Sequence, residues 1–245
     1  SVFFHKGPPF QRVVGDGVVS EKCHERGAVH CLRYNKDGSL LASVGTDGSV
    51  CFYEGKGMGL VKRLEKVHKS SIFSCAWNRT GSHLLTCGAD GFVRLLDGKA
   101  GEVVHEWDVA AMQQGGVKGE NGKVPMGAML LGCSFLKGDV PVSVGYNGQI
   151  VVLNGGIDKP IGTSDTTSTS KPLVITGHQA PISAMTFGTP GTNTIYTSDT
   201  DGAIIEWNGA TGKAKGRVYN ANEDDLDITG KVHAGATITS LSFAD

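Results

Sequence analysis

Four tight turns recur along the chain, with the same kinds of residue at the same distances on either side. The turns are Asp47-Gly48, Asp90-Gly91, Asn147-Gly148 and Asp201-Gly202. A hydroxyl side chain stands four residues before the Asp or Asn of each turn, at Ser43, Thr86, Ser143 and Thr197. A large side chain stands six residues after it, at Tyr53, Leu96, Leu153 and Trp207. Asp-Gly and Asn-Gly favour tight hairpins because Gly adopts a positive φ without steric cost. The pattern therefore predicts repeated hairpins.

A six-residue apolar motif precedes each turn and recurs near the end of the sequence. Its first residue is β-branched, its fourth apolar and its sixth aromatic, in the copies that begin at Val29, Ile72, Ile182 and Ile238. A weaker copy spans Leu130–Phe135. The turns are spaced by roughly 40 to 60 residues, which is typical of a four-stranded propeller blade with loop insertions. Fourth strands are expected at Leu60–Leu64 and Val103–Trp107.

Composition agrees with a packed all-β chain and excludes several other classes. Of the 245 residues, 39% are hydrophobic, 36 are Gly and only 8 are Pro, so neither disorder nor a collagen-like repeat fits. The formal net charge of −1 argues against a basic footprint for nucleic acid. No apolar run approaches the length of a membrane-spanning helix.

The N-terminal stretch and the cysteines indicate a cytosolic protein. The first residues lack the basic and apolar regions of a signal peptide, so we expect no secretory signal. The six cysteines are therefore expected to be reduced thiols without a bound metal.

A histidine precedes four of the five motif copies, at His24, His68, His178 and His233. Together with the turn residues, these positions resemble the WD-repeat family, in which a His, a Ser or Thr, an Asp and a Trp form a buried hydrogen-bond chain. The resemblance implies three sets, which are His24, Ser43, Asp47 and Tyr53, then His68, Thr86, Asp90 and Leu96, then His178, Thr197, Asp201 and Trp207. The third alone has every member, because Leu96 cannot donate a hydrogen bond. The repeat around Ser143 and Asn147 has no His.

The fold class expected from these repeats is all-β. It is a WD-repeat β-propeller with four full blades and a partial blade at each end, forming part of a seven-bladed propeller. We expect trailing strands of a preceding blade over 1–22. Blades follow over 23–66, 67–108, 109–170 (degenerate, with insertions) and 171–220, and a loop and first strand of a following blade over 221–245. The remaining blades are expected on the rest of a longer chain or on a second copy.

Three other kinds of site are disfavoured by the sequence. A catalytic Ser-His-Asp triad is disfavoured because an active site occurs once, whereas this set recurs. A zinc site built from Cys23, His24, His30 and Cys31 is disfavoured because successive strand residues point to opposite faces. The glycines of Gly55–Gly59 match neither familiar phosphate-binding loop.

Longer stretches resemble the actin-interacting protein 1 family of two-propeller WD-repeat proteins. They are Phe3–Phe10 with its Gly-Pro-Pro-Phe connection, Leu32–Leu40, Leu131–Cys133 and Lys171–His178. The resemblance implies a cytoplasmic, cytoskeletal protein that binds actin filaments with ADF/cofilin and promotes their disassembly. It implies no cofactor and no catalytic activity.

Members of that family expose aromatic and basic side chains around the Gly-Pro-Pro-Phe connection and the following loop between blades. The matching positions here, expected to contact the partner, are Phe10, Gln11, Arg12, Arg26 and Gly27. Two alternatives stay open at this point. One is a general WD-repeat scaffold for other protein assemblies, and the other is an enzyme that uses His and Asp on the propeller face.

Overall fold

The computed structural model describes residues 23–24, 27–112, 126–153, 172–178, 180–188 and 192–217. These residues form four four-stranded antiparallel sheets, each built from strands that are consecutive in the sequence. The sheets are blades of a β-propeller, as the repeat predicts, and we call them the first to fourth blade. No helix in the described segments is both long and apolar enough to cross a membrane.

The first two blades follow the predicted spacing closely. The strands of the first blade are β1 (Val29–Tyr34), β2 (Leu40–Gly45), β3 (Val50–Glu54) and β4 (Leu60–Leu64). Those of the second are β5 (Ile72–Trp77), β6 (His83–Gly88), β7 (Phe92–Asp97) and β8 (Val103–Asp108).

The third and fourth blades carry the longer insertions. The strands of the third blade are β9 (Leu130–Leu136), β10 (Val140–Gly145), β11 (Ile150–Val152) and β12 (Leu173–Ile175). Those of the fourth are β13 (Ile182–Phe187), β14 (Thr194–Asp199), β15 (Ile204–Asn208) and β16 (Lys213–Arg217). A short helix α1 (Val109–Met112) and a 3₁₀ turn (Met126–Ala128) lie between the second and third blades.

The boundary expected between residues 170 and 171 is wrong. Strand β12 pairs antiparallel with β11 through Val151 and Val174, so this segment completes the third blade and does not begin the fourth. The segment after β8 begins with the short helix α1, in which Val109 and Ala110 are buried.

The strand register places the repeated hydroxyl at one level in all four blades. Each hydroxyl residue of the second strand lies opposite the apolar fourth residue of the first-strand motif. The four partners are Leu32 for Ser43, Cys75 for Thr86, Cys133 for Ser143 and Met185 for Thr197. Because side chains alternate along a strand, this shared register brings the hydroxyl of every blade to the same position.

Neighbouring blades are held together by apolar side chains packed between their faces. One apolar cluster lies between each consecutive pair of blades. Phe52 and Leu84 belong to the cluster between the first and second blades, and Leu85 and Val151 to the cluster between the second and third. Val142 and Ile195 belong to the cluster between the third and fourth. Complete burial of such a side chain contributes about 1.5–3 kcal/mol. The outer face of the first blade is different, because Leu32 and Tyr34 are each 52% exposed. Stacking of one sheet face on the next therefore positions the polar residues of each blade.

Candidate functional site

In the first blade, His24 links the segment before β1 to the turn and to the second strand. Its Nδ1 lies 2.9 Å from Asp47 Oδ1, and its Nε2 lies 2.7 Å from Ser43 Oγ. The Tyr53 hydroxyl lies 3.1 Å from Ser43 Oγ. The assignment that satisfies every contact has Tyr53 donating to Ser43, Ser43 to His24 Nε2, and His24 Nδ1–H to Asp47. Burial raises the pKa of Tyr53, which keeps its hydroxyl a donor.

The same arrangement recurs in the second blade without the terminal donor. His68 Nδ1 lies 2.8 Å from Asp90 Oδ1, and Nε2 lies 2.9 Å from Thr86 Oγ1. Leu96, which stands where Tyr53 stands in the first blade, is fully buried. Arg94 adds a cation that the repeat does not predict. Its Nη1 donates to Asp90 Oδ2 over 2.8 Å, and its Nε donates to Glu106 over 3.2 Å.

The charges of the second blade hold His68 neutral and Asp90 ionised. Burial is the main reason that the pKa of His68 is lowered; the Arg94 charge adds to this, and Asp90 opposes it. Burial alone would raise the pKa of Asp90, but His68 and Arg94 outweigh it and hold that pKa well below its ordinary value. Both groups bind protons more readily in the unfolded chain, so acidification through their unfolded pKa values favours unfolding.

The third blade has the hydroxyl and the turn but no ring between them. Ser143 Oγ is fully buried, and no hydrogen-bond partner for it lies in the described part of the chain. Asn147 Oδ1 accepts a hydrogen bond from the backbone N–H of Gln149 over 3.1 Å, which fixes the turn. Leu153 is buried in the apolar cluster between the second and third blades. Packing therefore replaces the polar chain at this position.

In the fourth blade the carboxylate beside the histidine is Asp199, and the assignment of Asp201 is wrong. His178 Nδ1 lies 2.9 Å from Asp199 Oδ2, and Nε2 lies 2.6 Å from Thr197 Oγ1. Trp207 Nε1 donates to Thr197 Oγ1 over 2.7 Å, as the repeat implies. Asp201 is exposed at the turn, whereas Asp199 is buried.

Asp199 occupies the position that is Gly at the end of the second strand in the other blades, at Gly45, Gly88 and Gly145. A Cβ placed on Gly45 would lie 3.1 Å from His24 Nδ1, so a side chain at this position reaches the ring directly. Asp199 Oδ1 also accepts from the backbone N–H of Ala203 over 2.9 Å. In the first blade Asp47 accepts the equivalent bond from Ser49. Asp199 therefore binds both the histidine ring and the backbone of the turn, although it stands two residues before the position that the turn aspartate has in the other blades.

Sequence reasoning missed both Asp199 and Arg94. The break in the glycine pattern at Asp199 was a usable signal, because glycine at a fixed repeat position indicates close approach by another group. The sequence also contains a signal for Arg94, since the residues at the equivalent position of the other blades, Cys51, Val151 and Ile205, are apolar.

The cysteines and His30, which the sequence places near one another, make separate contacts in the structure. All six cysteines are free thiols. His30 Nε2 lies 3.1 Å from Thr46 Oγ1, and Cys31 contacts the carbonyl of Cys75 in the next blade. The hydrogen bond from the Cys75 thiol is the main cause that lowers the pKa of Cys31 to about 6. Among the described residues, no group of three or more His, Cys, Asp or Glu has the arrangement of a metal site.

Most of the expected partner contacts lie outside the described residues. These are Phe10, Gln11, Arg12 and Arg26. Gly27 is exposed and has a φ of +95°, and a Cβ there would lie 2.6 Å from Thr46 Cβ. The backbone at this point therefore requires glycine.

We predict that Asp199→Ala destabilises the protein more than Asp201→Ala. The first change removes the acceptor of His178 Nδ1–H and of two backbone N–H groups, which costs about 1–3 kcal/mol for a buried unsatisfied group. The matched change at Asp201 removes an exposed carboxylate. Urea unfolding of both variants measures the difference, and an equal or larger loss at Asp201 would contradict the assignment.

Serines at equivalent positions should respond in opposite ways to replacement by alanine. Ser43→Ala breaks the chain between His24 and Tyr53 and should lower the free energy of unfolding by about 1–3 kcal/mol. Ser143→Ala removes a buried hydroxyl that lacks a partner in the described part of the chain, so the variant should be at least as stable as the parent. Thermal melts of the two variants test this. A clear loss at Ser143 would show that its hydroxyl is used.

Comparison with known proteins places this geometry in a family. The model of the WD domain, G-beta repeat, matches residues 17–54 and 60–97. WD repeat-containing protein 1 of Xenopus tropicalis is 31% identical over 99% of this chain, which corresponds to 37% of that protein. Actin-interacting protein 1 is 30% identical over 84% of the chain in Drosophila melanogaster and 33% identical over 86% in Caenorhabditis elegans.

A solved structure supports the fold independently. The β-propeller domain of Cps50 (Swd1) from Myceliophteria thermophila superposes with a TM-score of 0.60 at 18% identity, covering 80% of this chain and 56% of that one. The chain spans about a third of the length of the curated relatives it matches. Its repeats, its blades and its relatives agree, and the chain belongs to the WD-repeat family of actin-interacting protein 1.

Proposed function

We propose that this protein binds actin filaments together with ADF/cofilin and promotes filament disassembly. The observation that carries the proposal is the similarity to proteins named actin-interacting protein 1 in two animals, over more than four-fifths of the chain. The resemblance of the Gly-Pro-Pro-Phe stretch and of the later blade segments to the same family supports this proposal. We place the protein at the actin cytoskeleton in the cytoplasm on the same basis.

The proposed role is binding and not catalysis. The His, Ser or Thr and Asp residues that could resemble a catalytic set are buried and occupied with one another in three blades. Such side chains stabilise a blade and cannot reach a substrate without breaking it. Propeller proteins of this kind act through exposed loops and edges, which present side chains to partners.

We propose that the actin-binding surface includes the segment of Phe10, Gln11 and Arg12 and the loop of Arg26 and Gly27. Arginine and aromatic residues contribute strongly to protein interfaces because they combine contact area with hydrogen bonding.

Sedimentation with filamentous actin tests the proposal. The full chain should pellet with filaments decorated with cofilin more than with bare filaments, and actin in the supernatant should rise when all three proteins are present. A chain that fails to pellet under either condition, and leaves the supernatant actin unchanged, would favour the general scaffold instead.

A charge-reversal pair locates the surface. Arg12→Glu with Arg26→Glu should lower pelleting at least about fivefold, since a change of about 1 kcal/mol or more at an interface has this effect. Lys99→Glu with Lys213→Glu is the matched control at exposed positions of other loops, and it should bind as the parent does. Equal losses in both pairs would show that net charge alone is responsible.

A further inference from the structure

A cavity lies where the first strands of all four blades end. Its volume is about 660 Å³. The residues around it come from the ends of β1, β5, β9 and β13 and from the turns that follow, so every described blade contributes to one wall. The histidine–aspartate pairs of the first, second and fourth blades do not line it, so this is a separate feature of the molecule.

The walls repeat one short pattern. In three blades an aromatic residue ends the first-strand motif and a cation stands two residues later. The pairs are Tyr34 with Lys36, Trp77 with Arg79, and Phe135 with Lys137. The fourth blade contributes Phe187, and Arg33 adds a further cation. The propeller brings these residues together because equivalent positions of neighbouring blades converge at the same end of their first strands.

The cavity is positively charged, and its cationic side chains are free to pair with a ligand. Arg33, Lys36, Arg79 and Lys137 are exposed, and none of them forms an ion pair within the described part of the chain. Among the described residues that line the wall, Asp139 is the one that is acidic. Its carboxylate is held by the protein itself, since Oδ1 accepts from the backbone N–H of Arg79 over 3.2 Å and Oδ2 accepts from Asn78 over 3.3 Å.

The aromatic walls are preformed. Trp77 Nε1 donates to the carbonyl of Arg33 over 2.9 Å, which joins the first and second blades at the cavity. Phe135 and Phe187 are half-buried against the apolar clusters on either side of the third blade. Rings held in this way lose little entropy when they contact a ligand.

We propose that this cavity binds an acidic segment of a partner polypeptide that carries an apolar side chain. The apolar side chain packs among the aromatic rings, and the flanking carboxylates pair with the cations at the rim, with Arg33 and Arg79 able to bind them bidentately. A nucleic acid fits less well. Its affinity depends on many phosphate contacts along an extended basic track, whereas these cations surround a single depression on a chain of net charge −1. The inference does not rest on the proposed binding to actin.

Fluorescence anisotropy with the full chain tests the site. The probe is a short fluorescein-labelled peptide of aspartates around two central leucines. We expect saturable binding that weakens as salt is raised, and weaker binding of an all-aspartate peptide of the same length. A single-stranded oligonucleotide that binds more tightly than the peptide would overturn the proposal, and so would a peptide that does not bind.

Matched variants assign the binding to the cavity. Lys36→Glu, Arg79→Glu and Lys137→Glu combined should weaken peptide binding at least about tenfold, because three attractions become repulsions. Lys56→Glu, Lys99→Glu and Lys213→Glu reverse the same number of exposed charges elsewhere and should leave binding within about twofold. Equal weakening in the two triple variants would overturn the assignment to the cavity.

A variant that changes no charge tests the aromatic wall, and circular dichroism checks that each variant is folded. Tyr34→Ser changes a half-exposed ring and should weaken the leucine-containing peptide more than the all-aspartate peptide. The circular dichroism spectrum of each variant should match that of the parent. Unchanged discrimination between the two peptides would contradict the role of the aromatic wall. Loss of filament pelleting with peptide binding retained would instead count against the actin proposal alone.

Discussion

The hydrogen bond between a buried histidine and an aspartate at the turn, or two residues before it, is the interaction on which three of the four blades depend. The ring lies in the segment before the first strand, and it reaches the hydroxyl of the second strand and the turn after it at the same time. In these three blades it therefore joins the entry of the blade to the hairpin between the second and third strands. Because an imidazole buried without partners costs several kcal/mol, the blade forms well only when every neighbour is in place.

The four blades differ in the residues that surround this position. The first uses a Tyr53 hydroxyl as the last donor, and the fourth uses the indole of Trp207. The second has Leu96 there and instead engages Asp90 with Arg94. The third omits the ring and relies on apolar packing around Leu153. In the three blades that contain the histidine, the ring bonds both a hydroxyl and a carboxylate, while the residues around this pair differ from blade to blade.

Much of the blade architecture could be predicted from the sequence, because the turns and the alternation of apolar residues along the strands repeat at fixed offsets. The blade strands and the His–hydroxyl contacts follow from that period. The offsets from the turn assign the carboxylate to Asp201, and the break in the glycine pattern at Asp199 is a signal that the repeat reading did not use. Strand β12 contains three residues beyond a long insertion, too few to show alternation. The basic and aromatic cavity depends on convergence of separate blades, which requires the fold.

Histidine ring NMR on the full chain tests the central claim most directly. Two-bond proton–nitrogen correlation spectra near neutral pH should show His24 and His178 each as the Nδ1–H tautomer, because Nδ1 faces a carboxylate and Nε2 faces a hydroxyl in both blades. On acidification through pH 6.5, the ordinary pKa of histidine, His68 should remain neutral while the blade is folded. Rings that average between tautomers, or a His68 that protonates at its ordinary pKa, would contradict the account.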